Sequence, residues 1–266
     1  MYIMSSLSSR VILQIANIIA CIVTITVNLF ASFASLNGRA TGAISDLYPA
    51  LVTPAGYVFS IWSVIYTLLL VFIIYQALPR NRDKDFLGKI GYLFVLSCVA
   101  NIAWLFLWHY LMPIASVFMM FVLLGSLIAI YLRLEIGCSK APLREKLAVH
   151  LPFSVYLGWI TVAPIANVAA ALISVGWYGG GLGEVLWTDL VIAIALAITL
   201  AVLYTRSDIG YGLVIVWALG GIIVKQAGEQ SIVYTAGASA AIIALMLAWT
   251  AFKLASGRKK ERSAHN

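Results

Sequence analysis

Apolar runs of about twenty residues follow one another along nearly the whole of this chain, and that recurrence constrains its fold more than any other feature. A helix crosses the ~30 Å hydrocarbon core of a bilayer in ~20 residues, and within that core every backbone polar group must be bonded inside the segment. The runs fall at residues 11–36, 53–78, 90–108, 114–132, 147–174, 185–204, 211–224 and 232–254. They predict an all-α, polytopic membrane bundle of about eight transmembrane helices. Composition agrees: 63% of residues are hydrophobic and 10% charged, with mean hydropathy +1.01, and a water-exposed surface needs far more charge. The rival for the first run is a signal peptide, since Arg10 precedes it and Ser32-Phe33-Ala34 resembles a cleavage site. The run exceeds the ~7–15 residues of a signal core, so a retained helix is expected.

The net charge of +7 would point to nucleic acid in a soluble chain, but here its placement matters more than its size. Of the 17 Lys and Arg residues, fifteen fall at Arg10, in connections 79–89 and 133–146, at Arg206, and from Lys253 onward. In an eight-span bundle all of these share one side, and only Arg39 and Lys225 lie opposite. The positive-inside bias then makes both termini cytoplasmic and the cell (inner) membrane the expected location, with no nucleic acid partner.

Three polar-aromatic stripes stand out within the runs. Phe59, Trp62 and Tyr66 lie at i, i+3, i+7 on the second helix, whose start is marked by Thr53 as an N-cap and Pro54 in the first turn. Asn101, Trp104 and Trp108 repeat the spacing on the third helix, and Tyr156, Trp159, Ala163 and Asn167 extend it on the fifth. The topology brings all three stripes to overlapping depths under the connection 37–52, which is long enough to serve as a lid. Interfacial belts or simple core filling are the bland alternatives, and Trp108, Trp177 and Trp187 are expected in a belt. Trp62 and Trp159 lie too deep for one, and Asn101 and Asn167 need partners in hydrocarbon, so these four favour an interior site.

Other features carry less. Cys21, Cys98 and Cys138 have no paired spacing, and His109 and His150 fall in opposite leaflets, so neither a disulfide framework nor a metal site is expected. The glycine-rich stretch 176–183 lacks the Lys-Ser/Thr ending of a phosphate loop. Asp189, Lys225 and Glu229 read as interface charges, with Lys225 and Glu229 as an i, i+4 pair. Pro152 and Pro164 should bend the fifth helix. Small residues at Gly220-Gly221 and across 236–241 predict close helix packing or an interaction surface, and the basic tail 257–266 reads as disordered. No nucleophile-base constellation appears, so no enzyme is expected.

Thr53-Pro54-Ala55-Gly56-Tyr57-Val58-Phe59, followed by Trp62 and Tyr66, resembles the Pro-Pro-aromatic-Phe-Trp-Leu-Tyr motif of the translocator protein, or tryptophan-rich sensory protein, family. Asn101-Ile102-Ala103-Trp104 resembles its third-helix motif. Pro152 to Trp159 with Ala166-Asn167 resembles its fifth-helix motif. The likeness covers about residues 10–175 and implies a five-helix bundle, often dimeric, whose lidded cavity binds porphyrin, haem or other flat apolar ligands. Carried over, it implies Tyr57, Phe59, Trp62, Tyr66, Asn101, Trp104, Tyr156, Trp159 and Asn167 as ligand-binding positions, with no required cofactor. The chain then divides into a five-helix domain at 1–175, a three-helix extension at 184–254 outside the five-helix pattern, and a basic cytoplasmic tail at 255–266. The expected function is ligand binding and sensing, with transport of small apolar molecules or a structural role in a membrane complex as alternatives.

Overall fold

The structure is a computed structural model that describes residues 2–33 and 36–264, with side chains described for 9–32 and 36–256. Among these residues the regular structure is entirely helical. Eight apolar helices dominate: α1 Tyr2–Phe33, α2 Ile61–Ala77, α3 Leu93–His109, α4 Pro113–Arg133, α5 Leu151–Ser174, α6 Gly183–Arg206, α7 Ile209–Lys225 and α8 Gln230–Ala264. Six apolar segments have at least 18 residues, α2 counted from Gly56 with the turn that leads into it, and the two shorter segments, α3 and α7, have 17 residues each, about 25 Å at 1.5 Å per residue. The protein is a multi-pass integral membrane bundle. The small-residue end of the cleavage-like sequence, Ala34, lies outside the described residues.

The first five helices close into a ring: α1 packs on α2 and α3, α3 on α4, α4 on α5, and α5 back on α2. On the side of the basic connections, Phe72, Phe94 and Phe153 from α2, α3 and α5 meet edge to face with centroids 5.1–5.8 Å apart. The last three helices join through α7, which lies along α5, while α8 packs on both α7 and α6. Gly158 makes the α5–α7 approach possible, because a Cβ there would stand 3.1 Å from the Tyr211 carbonyl oxygen. By contrast α6 meets α5 only lightly, and a gap remains between them.

Several expectations about helix ends are corrected. Thr53 and Pro54 lie outside the second helix; residues Gly56–Ser60 form a 3₁₀ turn, and the α-helix begins at Ile61. Tertiary structure decides this, since the Ala55 N–H donates to the Gly221 carbonyl at 3.0 Å and holds the segment against α7 instead of in a helical turn. The third helix begins at Leu93, after a short helix Asp85–Ile90 that ends at Gly91 with φ 52°. A π turn, Lys146–His150, precedes Pro152, whose ring cannot make the ordinary bond to the Ala148 carbonyl. The last helix continues to Ala264, so the tail expected to be disordered is helical through that residue.

Ion pairs tie the basic connections together on one face of the bundle. Arg10 meets Asp83 at 3.8 Å, Lys84 meets Glu145 at 3.5 Å, and Lys89 meets Glu135 at 3.6 Å. The end of α1 and the connections 79–89 and 133–146 thus share one face of the bundle.

Candidate functional site

Inside the half of the ring away from the basic connections, Trp62 stands at the centre of an aromatic cluster. It stacks on Tyr66 (5.5 Å, 20° between planes) and on Trp104 (6.1 Å, 28°), and meets Tyr156 and Trp159 edge-on at 5.9 and 6.2 Å. Phe59, in the 3₁₀ turn, closes on Trp159 at 5.8 Å, and Trp108 continues the stack from Trp104 at 6.3 Å. The three stripes do converge. Trp108 is 5% exposed and belongs to this cluster, not to an interfacial belt. Helical periodicity put its ring in register with Trp104, and the ring of helices then enclosed both.

Tyr57 departs from the set: it is half exposed and meets Trp217 of α7 at 5.5 Å, away from the cluster. Its neighbour Val58 turns the opposite way and is fully buried, so adjacent residues of the turn face different partners. The amides are committed within the protein. Asn28 Nδ2 donates to Asn101 Oδ1 at 2.8 Å, Asn101 Nδ2 to the Tyr156 hydroxyl at 3.3 Å, and Trp104 Nε1 to Asn167 Oδ1 at 2.9 Å. Asn167 Nδ2 in turn donates to Ser116 Oγ at 2.8 Å. The two asparagines therefore lock α1, α3, α4 and α5 to one another. Trp159 Nε1 is the contrasting case: it is buried, and no acceptor meets it among the described residues.

A cavity of about 30 Å³ lies against Trp62, Trp104, Trp108, Trp159 and Asn167, roofed by Thr41 and Ser45 of the first connection. That is room for about one water. The roof includes the short helix Thr41–Ser45 and is held at several points. Trp108 Nε1 donates to the Thr41 carbonyl at 3.2 Å, Asn37 Nδ2 to the His109 carbonyl at 2.9 Å, and Lys225 of α7 pairs with Asp46 at 2.8 Å. The last contact replaces the expected Lys225–Glu229 pair, because the lid carboxylate reaches the ammonium across the bundle. Beside it, Trp217 Nε1 donates to the Val58 carbonyl at 3.1 Å, and Gly221 fits where a Cβ would lie 2.1 Å from Val58 Cγ2. The small residues at 220–221 thus serve in part an internal contact between α7 and the turn leading into α2.

Two buried polar residues carry bonds that the sequence reading missed, one in this site and one at the opposite end of the bundle. Ser116 carried no signal, being one hydroxyl in an apolar run. Asp208 carried one that was overlooked, an acid between two runs: it is 7% exposed and accepts from Tyr131 (2.9 Å), Ser154 (2.5 Å) and the Tyr211 N–H (3.2 Å), capping α7.

No curated protein and no solved structure matches the chain significantly. The profile of the TSPO-like protein family matches residues 14–249, a span that reaches from α1 into α8. With a match across nearly all eight apolar helices and a Trp-rich cluster inside the ring of the first five, this chain belongs to the TSPO-like protein family.

Proposed function

We propose that this protein is a membrane ligand-binding and sensory protein that holds a flat, largely apolar, tetrapyrrole-like ligand among the aromatic faces beneath its lid. The observation that carries this reading is the cluster around Trp62, where rings from α2, α3 and α5 meet beside a small lidded cavity and a buried, unmatched Trp159 N–H. A stacked aromatic contact contributes ~0.5–1.5 kcal/mol beyond its buried area, so an inserted flat ligand gains as much as the ring pairs it separates. An acceptor on the ligand would satisfy Trp159 Nε1. The closed cavity is far smaller than the ~300 Å³ or more of a ligand pocket, so uptake requires the lid and Trp62 to move together. Binding is then coupled to a change of lid position, which is the behaviour of a sensor. No bond-making step is involved and no cofactor is required; porphyrin or haem enters as ligand. The positive-inside bias supports cytoplasmic termini in a cell (inner) membrane, and the family resemblance supports a homodimer.

Titration of the purified protein with protoporphyrin and with haem, read by tryptophan fluorescence, tests this. Saturable quenching is expected, weakened at least about fivefold in Trp62→Phe and Trp159→Phe. Equal affinity in folded variants would overturn the site.

A second reading, transport of small apolar or tetrapyrrole molecules, is favoured by the ties of α7 to the lid through Lys225 and to the turn leading into α2 through Gly221. Proteoliposome flux separates the two: a sensor binds without net transport.

A further inference from the structure

A second cavity of about 350 Å³ lies outside the ring of five, in the gap that α6 leaves against α5. It runs from Trp177, Glu184 and Trp187 at the outer mouth down to Thr161 and Ile198. Twelve residues separate Thr161 from Ile173 along its α5 wall, about 18 Å at 1.5 Å per residue. The walls are apolar, lined by residues such as Val168, Leu172 and Val191, with Phe121 of α4 at the edge. The single charge on the lining is Glu184, and it makes no ion pair among the described residues. Trp177 and Trp187 meet edge to face at 5.4 Å beside it.

We propose that this slot is a binding site for a monocationic amphiphile, a lipophilic amine or quaternary ammonium compound whose apolar body lies between α5 and α6. Three features of the slot select that chemistry. A carboxylate that shares the mouth of the slot with two indole rings attracts an ammonium, by charge and by the ring quadrupole together. The body of the slot disfavours ligands that carry polar groups along their length, because its wall is almost entirely apolar and the Thr161 hydroxyl is already bonded to the Leu157 carbonyl and the Tyr211 hydroxyl. No Lys, Arg or His lines the cavity, so a bilayer phospholipid seated with its ammonium at Glu184 would leave its phosphate without a basic partner. The free N–H groups at the start of α6 offset part of the Glu184 charge, which limits its effect to about tenfold in affinity. This site is distinct from the aromatic cavity inside the ring, and its test does not depend on tetrapyrrole binding.

The experiment is equilibrium binding of radiolabelled dodecyltrimethylammonium, and of dodecanol as its uncharged counterpart, to the full chain in phosphatidylcholine nanodiscs, with empty nanodiscs subtracted. Saturable binding of the ammonium is expected, about tenfold tighter than of the alcohol. Glu184→Gln should remove that preference and leave dodecanol binding unchanged, Ala169→Phe should abolish both by filling the slot, and Trp62→Phe should change neither. Equal binding of the two probes by the natural protein, or an ammonium preference that survives Glu184→Gln, overturns the proposal. Ammonium binding that a short-chain phosphatidylethanolamine displaces as well as unlabelled amine does also overturns it, in favour of a lipid groove.

Discussion

At the scale of single residues, buried polar groups are used to join helices. Gln14 and Asn17 of α1 both bond Gln76 at the end of α2, and Gln76 Nε2 returns a bond to the Gln14 carbonyl at 3.2 Å. In hydrocarbon each such bond is worth only ~0.6 kcal/mol on average, because separated helices also find partners. Asp208 is different in kind, since one carboxylate satisfies three donors from α4, α5 and α7. Replacing it by Ala leaves two buried hydroxyls and the first-turn N–H of Tyr211 unmatched, at roughly 2–4 kcal/mol in total. Thermal unfolding in detergent should therefore show Asp208→Ala well below the natural protein, with Asp208→Asn between them. Gly137 is a second such position: its φ is +86°, and a Cβ would stand 1.9 Å from the Arg206 carbonyl oxygen. Gly137→Ala should destabilise through the close contact of the α4–α5 connection with the end of α6, in the same assay.

Among elements, the relation that matters most is between the lid and α7. The Lys225–Asp46 pair is partly exposed, with side chains 26% and 63% accessible, so it adds at most ~1 kcal/mol. Asp46→Asn should leave the melting temperature within a few degrees of the natural protein but raise the association rate for protoporphyrin several-fold, measured by stopped-flow quenching. An unchanged rate would show that the lid opens elsewhere. Gly221→Val acts at the other contact, forcing Val58 aside and with it the turn that carries Phe59.

For the molecule as a whole, topology is the testable property. Cys138 is exposed in the α4–α5 connection on the basic face, whereas Cys21 and Cys98 are buried. A membrane-impermeant maleimide should therefore label the natural protein only after cells are opened, and an added Cys at Arg39 should be labelled in intact cells. The reverse pattern would invert the bundle.

The membrane class, the number of spans, the side shared by the basic connections and the convergence of three aromatic stripes were all legible in the sequence. Each follows from a periodic or compositional rule: hydrophobic length sets a span, lysine and arginine set a side, and i, i+3, i+7 spacing sets a face. Residues 53–60 were not legible, because an ordinary helix-start pattern was overridden by bonds from Gly221 and Trp217, more than 150 positions away. Contacts with α7 likewise turned Tyr57 away from the cluster and gave Lys225 Asp46 instead of Glu229, while the ring of helices enclosed Trp108 beside Trp104. How large a cavity survives, and where, was decided by packing alone. Tight stacking leaves about 30 Å³ inside the ring of five, and loose docking of α6 leaves about 350 Å³ outside it. A sequence specifies which faces are apolar, but the space between two apolar faces depends on how side chains from distant segments interlock.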